Sequence, residues 1–203
     1  GAAEIGRLLQ RVKELGMPAV AITDHGVMYG CLKFYQQALK VGVKPILGCE
    51  LYLAPRTLRD KVPKLDENAA HILLLAENNT GYQNLLKLVS IAHMEGFYYK
   101  PRIDLEILAK HSQGIIVLSA CMSGRIPRLL LDEKVAEAEQ ELKTYQDIMG
   151  PDNFYIELQY QQLAEQRSLN RKLAALAATC KVPLVATNDV HYPTKDKSAA
   201  HEA

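Results

Sequence analysis

Short apolar segments alternate with helical patterns along most of this sequence. Residues 19–23 and 45–53 are rich in aliphatic side chains, and runs of this length are typical of strands buried on both faces. In residues 4–15, by contrast, apolar side chains recur every three or four positions, which predicts a helix with one buried stripe. The same patterns predict further strands at 72–76, 114–120, 154–159 and 183–187 and further helices at 32–39, 81–93, 133–148 and 163–179. This alternation predicts an α/β fold with parallel strands joined by right-handed helical crossovers.

Two architectures share this alternation, a barrel and a doubly wound sheet. A dinucleotide-binding doubly wound sheet carries a glycine-rich turn after its first strand, and neither GxGxxG nor GxxxxGK[ST] occurs here. A barrel is therefore favoured, and 203 residues are enough for one such domain. Residues 54–68 contain two prolines and many charges without periodicity, so they are predicted to form an excursion within that domain.

Charge and cysteine usage narrow the class of protein. Lys and Arg number 24 against 23 Asp and Glu, so overall charge gives no argument for nucleic-acid binding. The four cysteines are widely separated and form no CxxC pair, which argues against a zinc ribbon and against a secreted disulfide framework. No run of apolar residues is long enough to span a membrane, and we expect a cytoplasmic protein.

Candidate functional residues collect where the predicted strands end. The carboxyl ends of barrel strands share one face, so side chains at these ends are expected to lie together. Imidazole, carboxylate and thiolate groups suit zinc or manganese, and several such ions could hydrolyse a phosphate ester. His71 fits less well, because it stands at the beginning of its predicted strand. The candidates are Asp24, His25, Glu50, His71, Cys121, Asp189 and His191.

Each candidate also has a simpler interpretation. Asp24 could cap a helix, and Cys121 alone would usually be a small buried apolar residue. Asp189 and His191 face the same side of an extended segment, but a single Asp-x-His triplet is common by chance. Glu50 lies in an otherwise apolar strand, where a cation or metal is the expected partner. In the aromatic and basic segment 97–102, base stacking and simple loop packing are equally compatible with the sequence.

Six motifs carry a family resemblance. They are AITDHG at 21–26, KPILGCE at 44–50, HILLLA at 71–76, GFYYKPRID at 96–104, SACMSG at 119–124 and TNDVHY at 187–192. With these motifs in this order, the chain resembles the PHP domains (polymerase and histidinol phosphatase domains) of bacterial DNA polymerase III alpha subunits. The resemblance implies a PHP domain over residues 1–203 that continues into a polymerase.

The resemblance also implies a distorted parallel (β/α)7 barrel and a metal cluster. In that family nine residues hold up to three divalent ions, and the matching positions here are His25, Glu50, His71, Cys121, Asp189 and His191. Glu50 would bridge two ions, with His71 and Cys121 on one of them; His25 and His191 would share another, and Asp189 would complete the third. Asp24 would support His25, so Asp24, His25, Asp189 and His191 are the expected catalytic residues. The family's first strand, with an HxH motif and a following aspartate, is expected to precede this chain, which alone would bind metals incompletely.

Three functions follow from this resemblance as alternatives. The first is metal-dependent 3′–5′ proofreading hydrolysis within a DNA-directed DNA polymerase, a nucleotidyltransferase. Its expected partners are primer-template DNA, a proofreading subunit and a sliding clamp, with no membrane. The second is a structural domain that supports the polymerase and a separate proofreading subunit. The third is a stand-alone phosphatase of the histidinol phosphatase type.

Overall fold

The computed structural model describes residues 3–161 and 163–198. Its helices are α1 (Ile5–Glu14), α2 (Cys31–Val41), α3 (Asn79–Met94), α4 (Leu105–Lys110), α5 (Arg125–Leu131), α6 (Val135–Met149) and α7 (Ala164–Cys180), with a short 3-10 helix at Lys195–Lys197. Its strands are β1 (Ala19–Ile22), β2 (Lys44–Leu53), β3 (Ala70–Ala76), β4 (Arg102–Ile103), β5 (Ile115–Leu118), β6 (Phe154–Gln159) and β7 (Leu184–Thr187). Every helix and strand predicted from the sequence is present, whereas α4, α5 and β4 were not predicted.

Local sequence signals set the ends of several helices. α2 ends at Gly42, whose φ of 75° is the left-handed conformation that glycine adopts without strain. α3 begins after Asn78, whose side chain accepts a hydrogen bond from the Gly81 backbone N–H. α1 buries Leu9 and Val12, and Ile5 and Leu8 pack against the same core, as the sequence periodicity predicts.

The strands form one mixed sheet within the described part of the chain. Its order is β1-β2-β3-β5-β6-β7, with β4 paired to β2. β1 and β2, β5 and β6, and β6 and β7 pair in parallel, but β3 runs antiparallel to both β2 and β5. The expectation of parallel pairing throughout is therefore wrong at β3. The chain between β2 and β3 contains no helix, so it makes no crossover and the next strand returns in the opposite direction.

The sheet curls so that its two ends approach each other. His25 follows β1 and His191 follows β7, at opposite ends of the strand order, yet their ring centroids are 6.1 Å apart. The result is a half-barrel with helices on its outer face. None of the helices in the described ranges has the length and apolar character needed to cross a bilayer.

Alternate strand residues divide between two apolar clusters. Leu51, Ile72 and Leu74 belong to the large core that includes the buried faces of the helices. Leu73 and Leu118 are register partners and point to the other, concave face, where they form a small cluster with Ala120. Glu50 pairs in register with Leu73, so its side chain also lies on the concave face.

Candidate metal centre

Neighbouring strands β2 and β3 bring a carboxylate and an imidazole together on the concave face. His71 lies opposite Tyr52 in the register, two residues beyond Glu50, and His71 Nδ1 is 2.6 Å from Glu50 Oε1. Because β3 is antiparallel to β2, the beginning of β3 lies at the same edge as the end of β2. The position of His71 at the start of its strand, which was unexpected in a parallel barrel, is explained by this reversal.

His25 joins this pair through the backbone that follows β1. The Glu50 N–H donates to Asp24 O at 3.1 Å, and the Gly26 N–H donates to Glu50 O at 2.9 Å, so His25 is held beside Glu50. His25 Nδ1 is 3.9 Å from Glu50 Oε2. One ligand atom from each of His25, Glu50 and His71 lies within 4.8 Å of the others.

Cys121 contributes from the turn after β5. Its Sγ lies 3.5 Å from His71 Nδ1 and 3.9 Å from Glu50 Oε1. The turn is tied to β3, because the His71 N–H donates to Ser123 O at 3.0 Å. Gly124 is required there, since a Cβ at this position would come within 2.1 Å of Ser119 O. We call His25, Glu50, His71 and Cys121 the four-residue cluster.

Asp189 and His191 lie beside this cluster, across the gap between the two ends of the sheet. His191 Nδ1 is 3.1 Å from Asp189 O and 3.5 Å from Asp189 Oδ1, and the His191 ring faces that of His25. Gln161 Nε2 lies 3.5 Å from Asp189 Oδ2. The six predicted metal ligands therefore border the same edge of the half-barrel.

Asp24 points elsewhere. Its Oδ2 lies 3.3 Å from the position that a Cβ would take on Gly30, the residue before α2, so the carboxylate faces the start of that helix. A carboxylate near a helix N-terminus is favourable because of the helix dipole. The backbone carbonyl of Asp24, in contrast, accepts from Glu50 and helps to place His25. A catalytic role for the Asp24 side chain stays a prediction.

The donor set and its spacing fit a divalent ion. Two ligands of one zinc ion, each about 2.0–2.3 Å from it, lie roughly 3–4 Å apart, as His71 Nδ1 and Cys121 Sγ do. The hydrogen bond with Cys121 and the one with Glu50 raise the pKa of His71 to about 9, although burial opposes the shift. These two contacts favour the protonated imidazole, and a metal ion would take the place of that proton.

Comparison with known proteins agrees with the geometry. The PHP domain family matches residues 1–161. The chain belongs to the PHP domain family. Its relatives include the DNA polymerase III alpha subunit of Treponema pallidum, 43% identical over 203 residues, and that of Thermus aquaticus, 45% identical over 206 residues. Both alignments cover 100% of this chain but 17% of the relative, so the chain spans about a sixth of the length of these curated relatives.

Solved structures show the same PHP-like fold. An amidohydrolase from Chromobacterium violaceum aligns with a TM-score of 0.61 at 13% identity, covering 97% of this chain and 85% of that chain. A protein from Bifidobacterium adolescentis, described as a metal-dependent phosphoesterase, aligns with a TM-score of 0.56 at 15% identity and the same coverage. The family and the His/Glu cluster together indicate that this PHP domain binds divalent metal.

Sequence reasoning missed Tyr52, whose ring lies against two histidines of the four-residue cluster. Its ring makes an edge contact with His71 at 5.2 Å between centroids and stacks on His25 at 6.2 Å. Burial, and then the nearby Glu50 carboxylate, raise the pKa of the Tyr52 hydroxyl above its usual value. The signal was available, because Tyr52 is two residues from Glu50 and therefore on the same face of β2.

Glu157 on β6 was also missed. Its Oε1 accepts hydrogen bonds from the Thr187 hydroxyl and from Gln159 Nε2, while its Oε2 is buried with no hydrogen-bond partner among the described residues. Burial raises the pKa of this carboxyl above its usual range. The argument that singled out Glu50, a carboxylate inside an apolar strand, applies equally to Glu157.

Proposed function

We propose that this PHP domain is the N-terminal domain of a bacterial DNA polymerase III alpha subunit, the DNA-directed DNA polymerase of chromosomal replication. The support is full coverage of the chain at 43% and 45% identity by two such subunits. On this proposal the protein works in the cytoplasm on primer-template DNA, with a proofreading subunit and a sliding clamp as partners.

Within that protein, the proposed activity of the domain is 3′–5′ hydrolysis of phosphodiester bonds. The observation that carries the proposal is the convergence of the His25, Glu50 and His71 ligand atoms within 4.8 Å. Zinc or manganese, when bound, would supply an activated water and neutralise charge on the phosphoryl group. His71 and Cys121 would hold one ion together with Glu50.

The remaining predicted ligands would complete the centre from the other side of the gap. His25 and His191 would share a second ion, and Asp189 would hold the third. In the described residues β1 pairs only with β2, and β7 only with β6. We propose that these open edges receive a further strand that carries the HxH motif of the family, because unpaired edges at the ends of a curled sheet invite such pairing.

A structural role is the second candidate function. The four-residue cluster is already joined by the contacts of His71 with Glu50 and Cys121, so it could brace the concave face without any ion. A stand-alone phosphatase of the histidinol phosphatase type is distinguished by its substrate, a small phosphate monoester, and by the lack of a polymerase in the same polypeptide.

One experiment separates these functions. The full-length protein is incubated with a mismatched, 3′-labelled primer on a template, without nucleotides, in zinc, manganese or EDTA. We expect metal-dependent release of the label, and we expect H25A and D189A to abolish it while primer extension continues. D152A is the matched control, because Asp152 precedes β6 at the opposite end of the strand from the metal centre. A metal-free protein that releases no label in any buffer would leave only the structural role.

A further inference from the structure

A tight turn presents an aromatic ring and a cation to solvent beside the metal centre. The Tyr98 N–H donates to Lys100 O at 3.0 Å, and Tyr99 between them has a φ of 57°. This left-handed conformation is unusual for a bulky residue and is normally taken by glycine, asparagine or aspartate. The Tyr99 side chain is nevertheless 66% exposed. We call residues 97–101 the Tyr99 turn.

A buried frame holds the Tyr99 turn in place. Arg102 is fully buried, and its guanidinium donates four hydrogen bonds to backbone carbonyls. The guanidinium also lies 5.1 Å from the centre of the Tyr98 ring, which in turn contacts the edge of Tyr99 at 4.7 Å. Burying an arginine is costly unless its donors are satisfied, so these bonds fix the turn to the loop before β3. The acceptors are the carbonyls of Leu58, Asp60, Asp66 and Gly96.

The same turn is packed directly against the metal centre. A Cβ on Gly26, the residue after His25, would come within 2.7 Å of Pro101 Cγ, so the turn and the His25 backbone are in close contact. Lys100 Nζ lies 5.5 Å from the centre of the Tyr52 ring. Tyr52 contacts the rings of both His25 and His71, so the Lys100 ammonium group and the four-residue cluster pack against the same tyrosine ring.

We infer that the Tyr99 turn is a nucleotide-binding subsite, in which the Lys100 ammonium binds the phosphate presented to the metal centre and the Tyr99 ring stacks on the base. The inference rests on the proposed hydrolysis of phosphodiesters. Glycine at position 99 would relieve the backbone strain of the turn. The residue there is instead an exposed tyrosine, on a turn that packs against the residue after His25. Base–aromatic stacking and a lysine on a phosphate are the two contacts such a pair provides.

Binding without metal gives the first test. Kd values for thymidine 5′-monophosphate are measured by calorimetry on the full-length protein in EDTA. We expect K100A and Y99A each to weaken this binding about tenfold, in line with the loss of one stacked base or one phosphate contact. Y99F should bind as the unmodified protein does, because it keeps the ring. Y99G removes the ring and relieves the backbone strain, so its weaker binding could not be attributed to a damaged turn. K143A on α6 is the matched control for charge.

Hydrolysis gives the second test and separates the two contacts. Thymidine 5′-monophosphate p-nitrophenyl ester and methyl p-nitrophenyl phosphate have the same leaving group, but only the first carries a base. We expect K100A to raise KM for both esters, and Y99G to raise KM for the thymidine ester alone. Variants that bind thymidine monophosphate and hydrolyse both esters as the unmodified protein does would overturn the subsite. Selective loss of binding, in a protein that hydrolyses neither ester, would leave the subsite standing and overturn the proposed hydrolysis instead.

Discussion

His71 Nδ1 lies 2.6 Å from Glu50 Oε1, although the two residues stand on strands of opposite direction. The reversal between β2 and β3 places the first residues of β3 at the edge where β1, β5 and β7 end. Glu50 is buried at 6% exposure and faces His25 on its other side. This carboxylate therefore lies between the two histidines of the cluster, with one oxygen near each.

Glu50 should be indispensable for metal binding. E50Q keeps the shape of the side chain but removes the negative charge, so each ion that it would hold loses its charged ligand. We expect affinity for zinc and for manganese to fall by about two orders of magnitude or more. Metal content after dialysis, measured by plasma mass spectrometry, checks this expectation. E106Q, on the exposed side of α4, is the control, and equal metal content in the two variants would contradict the prediction.

Cys121 should set the preference among metals. A thiolate favours zinc, whereas manganese prefers oxygen ligands, so C121S should weaken zinc binding about tenfold or more and affect manganese much less. Competition between the two ions for the protein measures the ratio directly. Cys180 at the end of α7 provides the control, because C180S leaves the four-residue cluster intact. A parallel loss of both ions in C121S would mean that Cys121 supports the site without acting as a ligand.

The sequence predicted the elements and the ligands better than it predicted the strand directions. Short aliphatic runs located the strands, and in the central strands β3 and β5 both faces are apolar because one packs in the large core and the other in the concave-face cluster. The sequence pattern could not show that β3 is antiparallel to β2, since the strand direction depends on the segment that joins them. Residues 54–69 form no helix and show no regular pattern. The single ligand that disagreed with a parallel barrel, His71, carried the information about this reversal.

The supporting residues of the site were harder to predict. Tyr52 follows from the two-residue period of β2 once Glu50 is known to face the concave side. Glu157 follows from being a carboxylate inside an apolar strand, as Glu50 is. The frame around Arg102 has no such signal, because its acceptors are backbone carbonyls spread from Leu58 to Gly96. Contacts of this kind depend on the three-dimensional path of a loop, and the pattern of side chains along the sequence does not predict that path.

Arg102 should be essential for stability rather than for chemistry. R102K retains the charge but cannot reproduce the planar fork that reaches four carbonyls, and it leaves several of them buried without a donor. We expect the free energy of unfolding to fall by about 3 kcal/mol. Urea denaturation followed by circular dichroism measures the change. R7K, in the exposed first turn of α1, should leave the midpoint unchanged; if R102K matched it, the buried frame would contribute nothing to the fold.

Glu157 should make stability depend on pH in a defined direction. Burial raises the pKa of its carboxyl in the folded protein above the unfolded value of about 4.5, so folding favours the protonated form. This contribution to stability is complete below the unfolded pKa and is lost as the pH rises through the folded pKa.

E157Q keeps the acceptor for Thr187 and Gln159 and places a neutral amide at the unpartnered position. Its melting temperature should therefore exceed that of the unmodified protein at pH 8, by about 2–4 °C, and by less at pH 4.5. Calorimetry in EDTA at both pH values measures the difference. E106Q should change the melting temperature in the opposite direction, because Lys110 lowers the pKa of Glu106. If the gain in melting temperature from E157Q did not grow with pH, the raised pKa of Glu157 would be disproved.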